Sequence, residues 1–324
     1  MPDATFVRDR HDRRVTASAA VTSGECWQLK DGQAAVFDSL AAAASGDRTK
    51  FTTEGQFVMP KASGVLLDGG RAYWDHSANN ITYRKVNDRD FYVGRVVGDA
   101  ASADTTCTVN LNVEVPYDVD LARDGFYSVL VGTAAAGAFG YPRNLGGALE
   151  FELSATNEAQ KVDAISLHGF VKGANAIIEG AFRVLSDGGS GSQDISIGIA
   201  NATHASDADA IADSVFIHLD GNNTNINAES DDGTTEVAAT DTTTDYTEGV
   251  TLAERVEFWM DMRDPADVQI YVNGALVLGS TVFNVDAYTG TWYLLVHVEK
   301  ASGTDVYKLA VDWLRARFSE QNAS

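Results

Sequence analysis

Glu150 and Glu152 are the residues whose type and spacing come nearest to a catalytic pair. Two carboxylates separated by one residue on a strand project from the same face. Retaining glycoside hydrolysis needs two such groups about 5–5.5 Å apart. Leu149, Phe151 and Leu153 interleave with them and supply the buried face, so Glu150 and Glu152 are expected on a solvated one. The Glu-x-Asp-x-x-Glu spacing that sets both acids into one cleft is absent. Glu257 and Asp261 also share a strand, but Asp261 with Arg263 reads as ordinary surface charge.

Other chemistries find less support. His168, His204, His218 and His297 are scattered, with no His-x-His or His-x-x-x-His spacing for a metal; His168, His218 and His297 are expected as surface or sheet-edge imidazoles. No Gly-x-Ser-x-Gly elbow accompanies them. The run from Gly188 to Ser192 reads as a turn and lacks the lysine of a phosphate loop. The stretch from Asp220 to Asp232 fails the EF-hand pattern, because Asn225 stands where glycine is required and the last position is Asp231. A calcium ion held by a loop stays open; otherwise no cofactor is expected. Trp259, Trp292 and Trp313 alternate with apolar neighbours and read as core, whereas Tyr246, Tyr288 and Tyr293 lie nearer loops, where exposed contacts are made.

The elements that must position these residues are β-strands. Leu149–Leu153, Val162–His168, Ala181–Leu185, Asp194–Ile199 and Val215–Leu219 alternate apolar with polar residues, the mark of strands with one wet face. Asn273-Gly274 between two apolar runs predicts a tight hairpin. The polar span from Asp220 to Glu248 is expected as a long exposed hairpin or loop. The segment Val129–Gly140 is apolar and rich in small residues, and reads as a strand plus a loop. In the first third, short strand-like runs are punctuated by glycine, and Ser39–Ser45 is the one candidate helix. The fold class expected is all-β: a small N-terminal β-barrel-like domain plus a C-terminal antiparallel jelly-roll β-sandwich.

Charge divides the 324 residues in the same way. Through Asn112 there are 13 Lys and Arg against 14 Asp and Glu; from Val113 onward there are 11 against 32. The anionic part repels nucleic acid, whose binding rests on neutralised phosphates, and resists aggregation. No apolar run approaches the ~20 residues needed to span a bilayer, and no secretory signal is read at the start, so synthesis in a cytoplasm is expected. Cys26 and Cys107 give no disulfide framework; a single bridge between early and late strands of the first domain stays open.

The first third resembles a family of phage capsid cement or decoration proteins. The residues carrying the resemblance are Ala4-Thr-Phe-Val, Gly55-Gln-Phe-Val-Met-Pro-Lys61 followed by Gly64, Gly70-Arg-Ala-Tyr-Trp-Asp75, Asn80-Ile-Thr82, Val93-Gly-Arg-Val and Val109-Asn-Leu-Asn-Val. The arginine-studded start departs from the family, which more often has small polar residues there. The resemblance implies a compact β domain on the outer surface of an assembled capsid, often as trimers at threefold or quasi-threefold positions. The later part resembles the concanavalin-type lectin/glucanase sandwiches through Glu257-Phe-Trp-Met-Asp-Met-Arg, Val268-Gln-Ile-Tyr-Val-Asn-Gly and Lys308-Leu-Ala-Val-Asp-Trp-Leu.

Together these readings predict a non-enzymatic virion protein with a docking domain over residues 1–112, a linker over 113–125 and a displayed sandwich over 126–324. Its expected partners are the major capsid protein and further copies of itself in a homotrimer, with no nucleic acid and no membrane insertion. The contact residues expected are Phe6, Arg8, Arg10, Arg13, Arg14, Pro60, Lys61, Tyr73 and Trp74. The arm Phe6–Val15, with its mixed Arg and Asp, is read as pairing with a capsid strand or an adjacent decoration subunit. The alternative is a carbohydrate-binding host-adhesion protein of the virion whose sandwich holds a surface glycan.

Overall fold

The computed structural model describes residues 5–8, 12–133, 142–145, 147–188, 193–221 and 223–318. The chain divides into two compact units, Met1–Pro116 and Tyr117–Ser324. Among the described residues no helix is long and apolar enough to cross a membrane.

The first unit holds β1 (Thr5–Arg8), β2 (Asp12–Thr16), β3 (Cys26–Gln28), β4 (Ala34–Val36), β5 (Arg48–Thr52), β6 (Gln56–Pro60), β7 (Arg71–Asp75), β8 (Asn80–Thr82), β9 (Phe91–Val96) and β10 (Thr106–Leu111). They form a six-stranded sheet in the order β1-β6-β10-β9-β7-β8 and a four-stranded sheet in the order β2-β5-β4-β3. Alternation explains the larger core: Phe57 and Met59 of β6, Ala72 and Trp74 of β7, Cys107 and Val109 of β10 all point inward. Asn112 joins the two sheets. Its left-handed backbone, at φ 54°, brings the amide to accept from the Ala34 N–H at 2.9 Å and donate to the carbonyls of Ala34 and Thr53 at 2.8 and 2.7 Å. Ser39–Ser45, expected as a helix, is instead turn and bridge: Ala43 pairs with Val21, and Leu40 stands fully exposed. Four alanines favour helix locally, but seven residues are too few to offset the cost of nucleating one. Cys26 and Cys107 are buried thiols and are not bridged; burial pushes Cys107 up to about 12, against the nearby Lys61 charge.

The second unit begins with β11 (Val119–Asp120), β12 (Phe126–Tyr127), β13 (Leu130–Val131), β14 (Arg143–Leu145), β15 (Ala148–Glu152), β16 (Gln160–Val171), β17 (Ala176–Ser186) and β18 (Gln193–Ala200). It continues with β19 (Asp213–Asp220), β20 (Asn225–Asp232), β21 (Glu236–Asp245), β22 (Val256–Asp261), β23 (Gln269–Val272), β24 (Ala275–Val277), β25 (Thr291–Lys300) and β26 (Lys308–Phe318). Two antiparallel sheets result. One runs β14-β15-β26-β17-β22-β23-β24 with β11 added on β26; the other runs β12-β16-β25-β18-β19-β20-β21 with β13 added on β16. Their inner faces share one core, drawn from Phe182, Phe258 and Leu309 on the first sheet and Ile197, Ile217 and Val296 on the second. This is a jelly-roll-type sandwich. Asn273 and Gly274 both take positive φ, as the two-residue hairpin β23–β24 requires.

Two expectations are corrected here. Residues 113–125 are not a free linker: β11 pairs with β26, and Val119 and Leu121 are buried in the sandwich core. Two apolar residues flanking Asp120 suffice to recruit this acidic, turn-rich stretch. The span from Asp220 to Glu248 forms the antiparallel hairpin β20–β21, as read, but it does not stand outside the core, since β20 sends Ile226 and Ala228 into it. Small and polar residues between them hide the alternation. Residues 134–140 of the apolar segment and residues 189–192 of the glycine-serine run lie outside the described residues.

Candidate functional site

In the first unit the expected contact residues fall into two groups. Trp74 is 1% exposed, and Lys61 is buried with its ammonium donating to the carbonyls of Ala62 and Gly64 at 2.9 and 2.6 Å. Both hold the fold together and are corrected from contact residues to internal ones. Trp74 alternates inward on β7, and Lys61 follows the last strand residue, where open carbonyls need a donor. Pro60 and Tyr73 are half-buried, Tyr73 in an edge contact with Tyr92 at 5.7 Å. Arg13 and Arg14 are exposed on β2. Arg13 donates to Gln33 at 2.8 Å and pairs with Asp31, and its bond to Asp31 lowers that carboxyl. Only the backbone of Phe6 and Arg8 is described, on β1, and Arg10 lies outside the described residues.

A cleft of about 880 Å³ opens in this unit, lined by Glu25, Trp27, His76, Asn79, Asp88 and Arg89 among others. Trp27 is half-buried against Phe51, with ring centroids 5.3 Å apart, and donates its indole N–H to Glu25 at 3.1 Å. The walls mix an aromatic ring with both signs of charge, which suits a polar protein segment. Sequence reading missed the cleft because its walls, residues 18–28 and 76–91, are distant in the chain.

In the second unit, chemistry gathers on the outer face of the β16–β25–β18–β19–β20 sheet. Register places Asp163 beside His297, His297 beside Ser196, Ser196 beside His218, and His218 beside Asn227. The side chains alternate with Val162, Val296, Ile197 and Ile217, which face the core. His297 is fully buried, with Nδ1 2.7 Å from Asp163 and Nε2 3.0 Å from Glu299. The other Asp163 oxygen lies 2.9 Å from Lys161, which also donates to the His204 carbonyl. Burial alone would lower the His297 imidazole, but its bonds to Asp163 and Glu299 outweigh that and push it up to about 9. His218, 3% exposed, is likewise opposed by burial yet held up to about 10 by Glu229, Asp194 and Asp209. Burial drives Asp194 up to about 7, with His218 opposing and Asp209, Glu229 and Glu299 adding. The segment 201–212 lies over this face because Ala208 and Ile211 pack on Phe216 and Leu295.

The expectation of surface or edge imidazoles is therefore overturned for His218 and His297, while His168 is exposed as expected. His218 and Asp220, like His297 and Glu299, are spaced by two, so each pair shares a face. That was the signal available. Which pairs meet across strands depends on register, which spacing within one strand does not set.

On the outer face of the other sheet, carboxylates meet guanidinium groups. Glu179 accepts from Arg317 and from the Tyr117 hydroxyl, both at 2.7 Å. Arg183 pairs with Asp312 at 2.6 Å, Arg255 with Glu257 at 2.5 Å, and Arg263 with Asp261 at 2.5 Å. Asp261 is thus buried and paired, contrary to its reading as ordinary surface charge. Trp292 is core as expected, but Trp259 and Trp313 are half-buried, Trp313 under the guanidinium groups of Arg255 and Arg315 at 4.8 and 5.3 Å. Tyr246, expected near exposed contacts, is 3% exposed and bonds the Asn223 carbonyl at 3.0 Å. Glu150 and Glu152 are half-buried, with Glu152 between Arg143 at 2.9 Å and Lys308 at 2.7 Å.

No curated protein sequence matches the chain. Among solved structures, the Emp46p carbohydrate recognition domain aligns at 9% identity over 58% of this chain and 87% of that one, with a TM-score of 0.41. The Emp47p carbohydrate recognition domain aligns at 12% identity over 64% and 92%, with a TM-score of 0.40. The endo-1,3-beta-glucanase (laminarinase) catalytic domain from Thermotoga petrophila aligns at 15% identity over 55% and 79%, with a TM-score of 0.39. Residues 7–111, about a third of the chain and all within the first unit, match the model of the phage cement protein family.

Proposed function

We propose that this chain is a bacteriophage capsid decoration protein whose first unit binds the outer surface of the major capsid shell and stabilises it. The observation that carries the reading is the cement-family match over residues 7–111, which falls inside one compact unit with its own cores. Binding only the assembled shell stabilises it by mass action, without any chemistry. The contact surface comprises the β1–β2 arm with Arg14, the exposed Leu40 and the cleft around Trp27 and Arg89. An apolar residue and an aromatic ring ringed by mixed charge give the anchors and rim of a protein interface. Three copies meeting at a threefold position would each contribute one such surface. The acidic sandwich is then the displayed part, its net charge keeping particles apart in solution.

Co-sedimentation of the full chain with undecorated shells tests this. The expected result is saturable binding and a higher shell melting temperature. Leu40→Asp with Arg89→Glu is expected to weaken binding about tenfold or more, since two interface anchors together are worth at least ~1.4 kcal/mol. Capsid binding retained after deletion of residues 1–112 would overturn the docking assignment. Glycan-array binding by the full chain, with no shell binding, would replace it with host adhesion.

A further inference from the structure

Carboxylates crowd His218 beyond what its ring can serve. Nδ1 lies 3.4 Å from Glu229 Oε1, 3.5 Å from Asp194 Oδ1 and 3.6 Å from Asp209 Oδ1, and 3.4 Å from Ser196 Oγ. A ring nitrogen carries at most one hydrogen. Glu229 is 6% exposed, and its Oε1 receives no hydrogen bond; nor does Asp194 Oδ1. A proton on Nδ1 can serve only one of these converging acceptors, whereas a metal ion in its place can take several at once.

The distances suit a metal. Donor atoms set tetrahedrally about 2.1 Å from a zinc ion lie about 3.4 Å from one another. The Asp194, Asp209 and His218 donor atoms all fall within 4.8 Å of one another. On the far side of the ring, Nε2 lies 3.4 Å from Asp220 Oδ1. With the hydrogen on Nε2 directed at Asp220, Nδ1 presents a lone pair, as metal-binding histidines oriented by a carboxylate do. A cleft of about 40 Å³ bordered by Asp209, Ser214, Glu229 and Ser230 gives access. We propose that Asp194, Asp209 and His218, with Glu229 beside them, bind a divalent first-row transition-metal ion of the zinc type.

The donor set of one imidazole and two carboxylates, with a third carboxylate adjacent, selects the metal. Calcium takes six to eight oxygens, whereas imidazole with carboxylate suits zinc and its neighbours. Binding places the ion on Nδ1 and releases to solvent whatever proton Nδ1 held, so affinity rises with pH. Asp209 comes from the 201–212 segment, so the ion clips that segment to β18, β19 and β20.

The test is calorimetric titration of the chelator-stripped full chain with Zn²⁺ alone. One ion per chain and a higher melting temperature are expected, with an X-ray absorption edge showing nitrogen and oxygen ligands and no sulfur. Asp209→Asn changes an exposed loop residue and leaves the fold intact; it is expected to weaken Zn²⁺ at least about tenfold, with Asp194→Asn similar. Asp264→Asn, an exposed acid elsewhere, leaves affinity unchanged. No stoichiometric binding, equal affinity in Asp209→Asn, sulfur ligation, or Ca²⁺ binding tighter than Zn²⁺ would each overturn the assignment.

Discussion

The two outer faces of the sandwich bury charge by opposite means. On the β15–β26–β17–β22 face the buried carboxylates meet guanidinium groups: Glu179 with Arg317, Asp312 with Arg183, Glu257 with Arg255. On the β16–β25–β18–β19 face the cations are Lys161 and two imidazoles, and carboxylates outnumber them around His218. Arginine is always charged and forks two bonds to one carboxylate, so the first face is complete at any ordinary pH. Histidine charge depends on protons, so the second face is complete only when protons, or another cation, are supplied. A balanced lattice of buried charge is architecture. An unbalanced one leaves room for a further cation.

The largest effect should come from cutting the second face at its best-paired point. Asp163→Ala leaves Lys161 and His297 buried without their shared carboxylate, and breaking a buried pair costs about 3–5 kcal/mol. Urea unfolding should show this as a lower midpoint at unchanged slope. A loss under about 1 kcal/mol would mean that Asp163 is not holding both cations.

Next comes pH, measured with chelator present. An imidazole titrates near 6.5 in the unfolded chain and His297 at about 9 in the fold. Stability from its bound proton is therefore complete below about 6.5 and lost as pH rises through about 9, up to roughly 3 kcal/mol. Asp194, raised to about 7, works with the same sign lower down, since its protonated form is the one the fold favours. Melting temperature should fall between pH 6 and 9.5, and His297→Gln should flatten the upper part of that fall. A flat wild-type profile would sink the contrast between the faces.

The balanced face should give a smaller response. Glu179→Gln keeps the shape but removes the charge that Arg317 and Tyr117 share, worth about 1.5–3 kcal/mol. The loss should be independent of pH from 6 to 9, because no imidazole takes part. A pH-dependent loss would erase the distinction.

Legibility from sequence followed the same physical line. Strand alternation made the sandwich readable, because period two ties burial to residue type: Leu149, Phe151 and Leu153 fall inward as read. Trp74 and Lys61 are internal because β7 alternates Trp74 inward and because Lys61 serves carbonyls just past β6, and a sequence motif does not separate such residues from contact residues. The His218 cluster was invisible. Its members come from β18, β19, β20 and a covering loop, and only register and the packing of Ala208 and Ile211 bring them together. Tyr117 likewise reaches Glu179 only because Val119 and Leu121 pull the supposed linker into the core.

Glu152, the residue that looked most like chemistry in the sequence, gives the smallest predicted effect. Its partners Arg143 and Lys308 are each 44% exposed in their side chains. Water competes for both, so each pair contributes about 0–1 kcal/mol and less in high salt. Glu152→Gln should shift the urea midpoint by no more than that, with the shift vanishing near 1 M salt, where the screening length is ~3 Å. A loss as large as that of Glu179→Gln would show that exposure does not rank these ion pairs. A salt-insensitive loss would place Glu152 with the buried lattice on its own sheet.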